Sequence, residues 1–227
     1  VLDTAEAAGR HPPKLRADAS RNRERITAAA REAIVEHGPD VPLDEVARRA
    51  GVGNATLYRH FSDRTELVRQ VALSVMLGTA RRAEEALSVE PDAFSALERF
   101  VFEAVEERVG ALCPMISSEL NRTDREVQQA VARLQGAVAA IIDRAQEAGQ
   151  MRDDIAVGDL IVALTQLTRP LPGSGCVGFD RFVRRHLQLF LDGLRAPARS
   201  TLAGTAATLE DLQNHRNNYV DCPLAGQ

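Results

Sequence analysis

Apolar residues recur along this chain at intervals of three and four, the spacing of one face of an α-helix. Ile26, Ala29, Ala30, Ala33, Ile34 and His37 mark the first such face, with Arg23, Glu24, Arg31 and Glu32 off it. The pattern predicts a helix from near Arg21 to the stop at Gly38-Pro39. Pro42 suits the start of a second helix, whose stripe is Leu43, Val46, Ala47 and Ala50. "GVG" at 51–53 predicts a turn and Asn54 to His60 a third, short helix. Ser62 or Asp63 can cap a fourth, running through Leu67, Val71 and Val75 to about Leu87.

Past Pro91 the predicted helices lengthen. Leu97, Val101, Ala104, Val105 and Val109 form one stripe, and Val127, Val131, Leu134, Val138, Ile141 and Ile142 another, bounded by Thr123 and Gly149. Val157, Leu160, Ile161, Leu164 and Leu167 form a third, stopped by "RPLPGSGCVG"; Phe179, Phe182, Val183, Leu187, Phe190 and Leu194 form the last. Runs with period two are hard to find, so the expected fold class is all-α. Residues 1–20 read as a polar, proline-broken basic arm and 197–227 as a Thr/Ala/Gly-rich tail with a helical turn or two at "TLEDLQNH". Between them lie a small tri-helical head, 21–68, and a larger helical body, 69–196.

Charge sharpens that division. The net charge of −4 over 227 residues is uneven: from Arg10 to Arg69 there are 12 Arg and Lys against 9 Asp and Glu, and elsewhere 16 against 23. A basic head on an acidic body points to a polyanionic partner at one end. No apolar run reaches eighteen residues, which argues against a membrane span. The acids near the N-terminus and the lack of an apolar stretch argue against a secretory signal, so the cytoplasm is expected. Cys113, Cys176 and Cys222 are odd in number and far apart. Neither a disulfide framework nor a zinc site is expected from them, and idle thiols are the plain reading.

The chemistry concentrates in "AGVGNATLYRHFSDRTEL", residues 50–67. A tight glycine turn between the second and third helices is how a helix-turn-helix is built. Ala47 allows close crossing, Gly51 supplies the turn, and Leu57 pins the third helix. With Leu57 and Phe61 inward at i and i+4, the residues Asn54, Ala55, Thr56, Tyr58 and Arg59 fall on exposed parts of the helix, followed by His60, Arg64 and Thr65. Phosphate contacts fix register and base edges carry sequence. Asn54 can pair bidentately with adenine and Arg59 with guanine. Arg16, Arg21, Arg23 and Arg25 offer an arm to backbone or minor groove; a solvated arm is the alternative. Taken one at a time, His60 as a cap, Tyr58 as a cover and Arg59 as a solvated charge are equally open.

These residues carry a resemblance. "LDEVARRAGVGNATLYRHFSDRTEL" resembles the DNA-binding head of the TetR family of bacterial transcriptional regulators through Val46-Ala47, Ala50-Gly51-Val52, Thr56-Leu57-Tyr58, His60-Phe61 and Leu67. The likeness covers about residues 21–70; the body matches in helical layout and length. The chain departs from the family pattern at Pro42, where Ser or Thr is usual, at Gly53, where Ser is usual, and at Arg64, where Lys is usual. The first two remove candidate backbone contacts.

The resemblance implies a homodimer whose last two strong helices pair with their copies, through Leu160, Leu164, Phe179, Phe182, Val183, Leu187, Phe190 and Leu194. The alternative is that these residues close the protomer's own core. It also implies a cavity for a small-molecule effector, with Phe94, Leu97, Phe100, Val101, Met115, Glu119, Leu120, Asn121, Leu134, Val138, Leu164 and Gln166 as candidates; plain core is again the alternative. Glu98 is a further polar candidate. The expected function is a ligand-responsive regulator, in the family's common mode a repressor, on an inverted-repeat operator in double-stranded DNA. No cofactor or metal is expected. An enzyme is the rival class, but paired Glu-x-x-His elements, phosphate loops and nucleophile elbows are missing. A DNA-binding regulator without a ligand is the other alternative.

Overall fold

A computed structural model of the chain describes residues 13–38, 40–107, 121, 123–169, 180–208 and 210–211. These residues fold into eight helices and divide into two compact units, with the division between Val71 and Ala72. Cys113, Cys176 and Cys222, the arm before Pro13 and most of the tail lie outside the described residues.

In the first unit, α1 (Pro13–His37) packs against α2 (Leu43–Ala50), and α2 against α3 (Asn54–His60); α4 (Arg64–Val89) begins here and continues past the division. Helix α1 starts at Pro13, eight residues before the expected start near Arg21. The reason is local: a proline is preorganised for the first turn, and no Gly or Pro follows until Gly38. Ile26, Ala30, Ala33 and Ile34 of α1, Val46 and Ala47 of α2, Leu57 of α3, and Phe61 are all at most 2% exposed. Each large side chain so buried contributes about 1.5–3 kcal/mol of transfer free energy.

Caps set the helix ends. Gly51, in the left-handed region at φ 63°, ends α2; the Val52 N–H then bonds the Ala47 carbonyl at 3.0 Å. Only glycine takes this conformation without a Cβ clash. Pro42 precedes α2 with no side-chain cap. Asp63 caps α4, its carboxylate accepting from the Glu66 N–H at 2.9 Å.

The second unit holds the rest of α4, α5 (Ala93–Glu106), α6 (Arg125–Glu147), α7 (Val157–Leu167) and α8 (Asp180–Leu194). Asp92 and Asp124 cap α5 and α6, accepting from the Ser95 and Glu126 N–H groups at 2.8 Å. One core joins Ala80, Ala83 and Ala86 of α4 to Phe94, Leu97, Phe100 and Val101 of α5, Val138 and Ile141 of α6, Leu160 and Leu164 of α7, and Leu187 and Leu191 of α8. Past α8 the chain is strapped back. The Arg152 N–H bonds the Leu194 carbonyl and the Ala196 N–H the Gln150 carbonyl, both at 3.0 Å. Arg152 reaches the Ser200 carbonyl at 2.8 Å, and Asp159 accepts from the N–H groups of both Ala156 and Ala207. Among the described residues no helix is long and apolar enough to cross a membrane.

Candidate nucleic-acid interface

Helix α3 has two faces. Leu57 is 1% exposed, and so is Phe61 just past the helix end, whereas Tyr58 is 53% exposed. Asn54, Ala55 and Arg59 are exposed too, Thr56 and His60 half-buried. At the start of α4, Thr65 is exposed and Arg64 half-buried. The fold therefore brings Asn54, Ala55, Thr56, Tyr58, Arg59, His60, Arg64 and Thr65 into one short stretch, α3 and the first turn of α4.

Most of these groups have partners within the unit. The Asn54 amide donates to Asp44 on α2 at 2.8 Å. The Arg59 guanidinium lies back along its own helix, donating to the Thr56 hydroxyl at 3.0 Å and the Ala55 carbonyl at 3.3 Å. Arg64 donates to the Val41 carbonyl at 2.7 Å, tying the start of α4 to the segment before α2. His60 is held below the usual histidine pKa, first by burial and then by the guanidinium charges of Arg23 and Arg59.

Arg23 is engaged within the unit. Its guanidinium donates to the His60 carbonyl at 2.8 Å, to Gln70 at 2.8 Å and to Glu66 at 3.0 Å, and stacks 4.6 Å from the centre of the Phe61 ring. Arg25 likewise turns inward, to the Ala50 carbonyl at 2.6 Å, and Arg21 pairs with Asp18. Because this segment is helical, its arginines are directed by α1 and do not form a loose arm. The side chain of Arg16 lies outside the described residues.

Helix α2 carries a network absent from the sequence-based expectations. Glu45 accepts a forked pair from Arg48, at 2.7 and 2.8 Å, and a further bond from Arg49, which also reaches Glu36 at 2.6 Å. These donors hold the Glu45 carboxyl down to about 2. The signal was available: Glu45 stands three and four residues before two arginines. Asp44, which orients Asn54, gave no such signal, because its partner is ten residues away.

The described candidates in the second unit divide between core and surface. Phe94, Leu97, Phe100, Val101, Val138 and Leu164 are at most 1% exposed and belong to the core. Leu134 is half-buried beside that core, but Asn121 and Gln166 are exposed. Asn121 accepts from the Thr123 hydroxyl at 2.7 Å, and Glu98 pairs with Arg195 at 2.8 Å. Met115, Glu119 and Leu120 lie outside the described residues. The expected dimer residues divide in the same way. Leu160, Leu164, Val183, Leu187 and Leu194 are at most 4% exposed because the protomer's own helices cover them. Phe190 is partly buried against that core and Phe182 is 46% exposed, while Phe179 lies outside the described residues. Among the described residues no cluster of three or more metal-ligating side chains occurs.

The chain is similar to known regulators along most of its length. Residues 26–71 match the model of bacterial regulatory proteins of the tetR family, and residues 92–196 that of the SbtR-like transcriptional regulator C-terminal domain. Over 62 residues the chain is 42% identical to the uncharacterized HTH-type transcriptional regulator TtgW of Pseudomonas putida. That match takes in 27% of this chain and 46% of the relative, so the chain spans less than half the length of the curated relatives it matches. Among solved structures, the TetR transcription regulatory protein from Mycobacterium vanbaalenii is 31% identical, with a TM-score of 0.59 over 80% of this chain and 99% of its own. A TetR transcriptional regulator from Streptomyces coelicolor is 29% identical, with a TM-score of 0.60 over 78% and 99%. LfrR from Mycobacterium smegmatis, solved in complex with proflavine, shares the fold at 20% identity and a TM-score of 0.56, over 80% and 99%. This chain belongs to the TetR family of DNA-binding transcriptional regulators, a family of regulators and not of enzymes.

Proposed function

We propose that this regulator is a homodimeric repressor that binds an inverted-repeat operator through α3 and leaves it when a small molecule binds the second unit. The observation that carries the proposal is the two-faced α3, with Leu57 buried and Asn54, Ala55, Tyr58 and Arg59 turned to solvent. In this reading Asn54 and Arg59 address base edges, and Thr56, Tyr58, His60, Arg64 and Thr65 address phosphates. The bonds that occupy Asn54 and Arg59 in the free protein join exposed groups. Such bonds are worth about 0.5–1.5 kcal/mol net, so DNA can replace them. A guanidinium has several donors, and the bond from Arg64 to Val41 is compatible with a phosphate contact.

The dimer follows from symmetry and from exposed apolar surface. One short helix reads too few base pairs, and a two-fold axis doubles the site. Val162 on α7 and Phe182 and Leu189 on α8 are 40%, 46% and 60% exposed, and they are the surface we assign to the partner. The effector half draws on the likeness of fold to LfrR, which was solved with a small molecule. Helix α4, continuous from Arg64 to Val89, is the lever in this scheme. An effector that prefers a body with the heads wrongly spaced lowers operator affinity by linkage. Repression acts where the chromosome is, in the cytoplasm.

A second reading, a regulator with no small-molecule ligand, is favoured by one observation: six of the expected cavity residues are packed core. Selection of bound sequences from a random duplex pool at two salt concentrations tests the DNA half. An inverted repeat with steep salt dependence is expected; no enrichment at either salt overturns it. Thermal-shift screening of a compound library, followed by release assays on the operator complex, separates the two readings.

A further inference from the structure

We infer that Arg23 and Arg25 are positioning residues for DNA reading: from α1 they clamp the C-terminal ends of α3 and α2, fixing the angle at which α3 is presented. The inference rests on the proposed role of α3.

Helix α3 is seven residues long and buries one of them, Leu57. So short an element has few anchors of its own. Its last residue is His60, and the His60 carbonyl receives Arg23 at 2.8 Å. The last residue of α2 is Ala50, and the Ala50 carbonyl receives Arg25 at 2.6 Å. Carbonyls at a helix C-terminus lack intrahelical donors and carry the negative end of the dipole, so a cation there satisfies both needs. Arg23 and Arg25 stand two apart, so they leave α1 in different directions and reach different helices. Gly51 keeps the second approach open: a Cβ there would stand 2.8 Å from the Arg25 guanidinium.

Arg23 does more than cap. The same guanidinium binds Glu66 and Gln70 on α4 and stacks on Phe61, so one planar group joins the end of α3, the start of α4 and the aromatic anchor between them. A fork of rigid donors can serve three acceptors and a ring face at once; a lysine ammonium is a point charge and cannot. Lysine is therefore the informative replacement, since it keeps the charge and loses the geometry.

The test uses the full chain, the duplex recovered by selection with wild-type protein, and a shuffled duplex of the same composition. Arg23→Lys and Arg23→Met should each reduce the affinity ratio of selected over shuffled duplex by about tenfold or more, the scale of one lost base contact. The salt slope on the shuffled duplex should match wild type in both. Restoration of wild-type discrimination by Lys, with Met lowering the salt slope by about one, would make Arg23 a phosphate contact and overturn the inference. Wild-type discrimination in both variants overturns it too. Amide exchange across residues 54–61 without DNA provides a second readout, on Arg23→Lys should the Met variant fail to fold. Faster exchange than wild type supports the clamp, and unchanged protection refutes it. If the wild-type chain enriches no sequence at all, the reading role of α3 fails, and the exchange measurement still decides the clamp.

Discussion

His60 sits half-buried at the end of α3 with two guanidinium charges near it, and its pKa is held below the ordinary value. A depressed base binds protons less readily folded than unfolded. The stability linked to His60 is therefore present above the unfolded pKa of about 6.5 and is lost as pH falls below it. A phosphate beside the ring has the opposite effect and raises the pKa. In the proposed reading, binding takes up a proton, so affinity rises between pH 7.5 and 5.5 and His60→Gln flattens that rise; binding isotherms at several pH values check it. Arg64→Ala should weaken binding to all sequences alike and reduce the salt slope by about one. The exposed donors of α3 were legible, because Leu57 and Phe61 at i and i+4 leave Asn54, Tyr58 and Arg59 outward. The destination of Arg23 was not. Its partners are 37 to 47 residues away, and a long side chain takes its direction from tertiary neighbours.

Among the elements, the turn between α2 and α3 is tightly constrained. Gly51 has φ 63°, and Gly51→Ala should cost about 1–2 kcal/mol, read as a lower melting temperature. A second constraint sits at the start of α7. A Cβ on Gly158 would stand 2.3 Å from the Ala207 carbonyl oxygen, which is backbone. Gly158→Ala should therefore push the 200–208 strap away or cost about 1–3 kcal/mol, and faster limited proteolysis of that strap distinguishes the first outcome. The periodic stripes predicted the helices well, since a buried face repeats whatever covers it. They do not mark the start of α1, because Pro12-Pro13 looks like a break although a proline is also a good first residue. Amphipathic spacing also cannot say whose side chains cover a face. Leu160, Val183, Leu187 and Leu194 have the pattern expected of an interface and are covered by their own protomer.

For the whole molecule, the proposed dimer gives a paired prediction. Leu189 is 60% exposed and Leu187 is fully buried, two residues apart on α8. Leu189→Glu should yield a folded monomer by sedimentation and weaken operator binding, whereas Leu187→Glu should disrupt the core, since burying an unpaired carboxylate costs several kcal/mol. Whether α3 reads base edges is decided by sequence selection with wild type and Arg59→Ala side by side. Wild type should recover an inverted repeat. Arg59→Ala should recover the same repeat with preference relaxed by about 1–3 kcal/mol at one base position in each half-site. An unchanged base preference in Arg59→Ala would mean that Arg59 does not read a base.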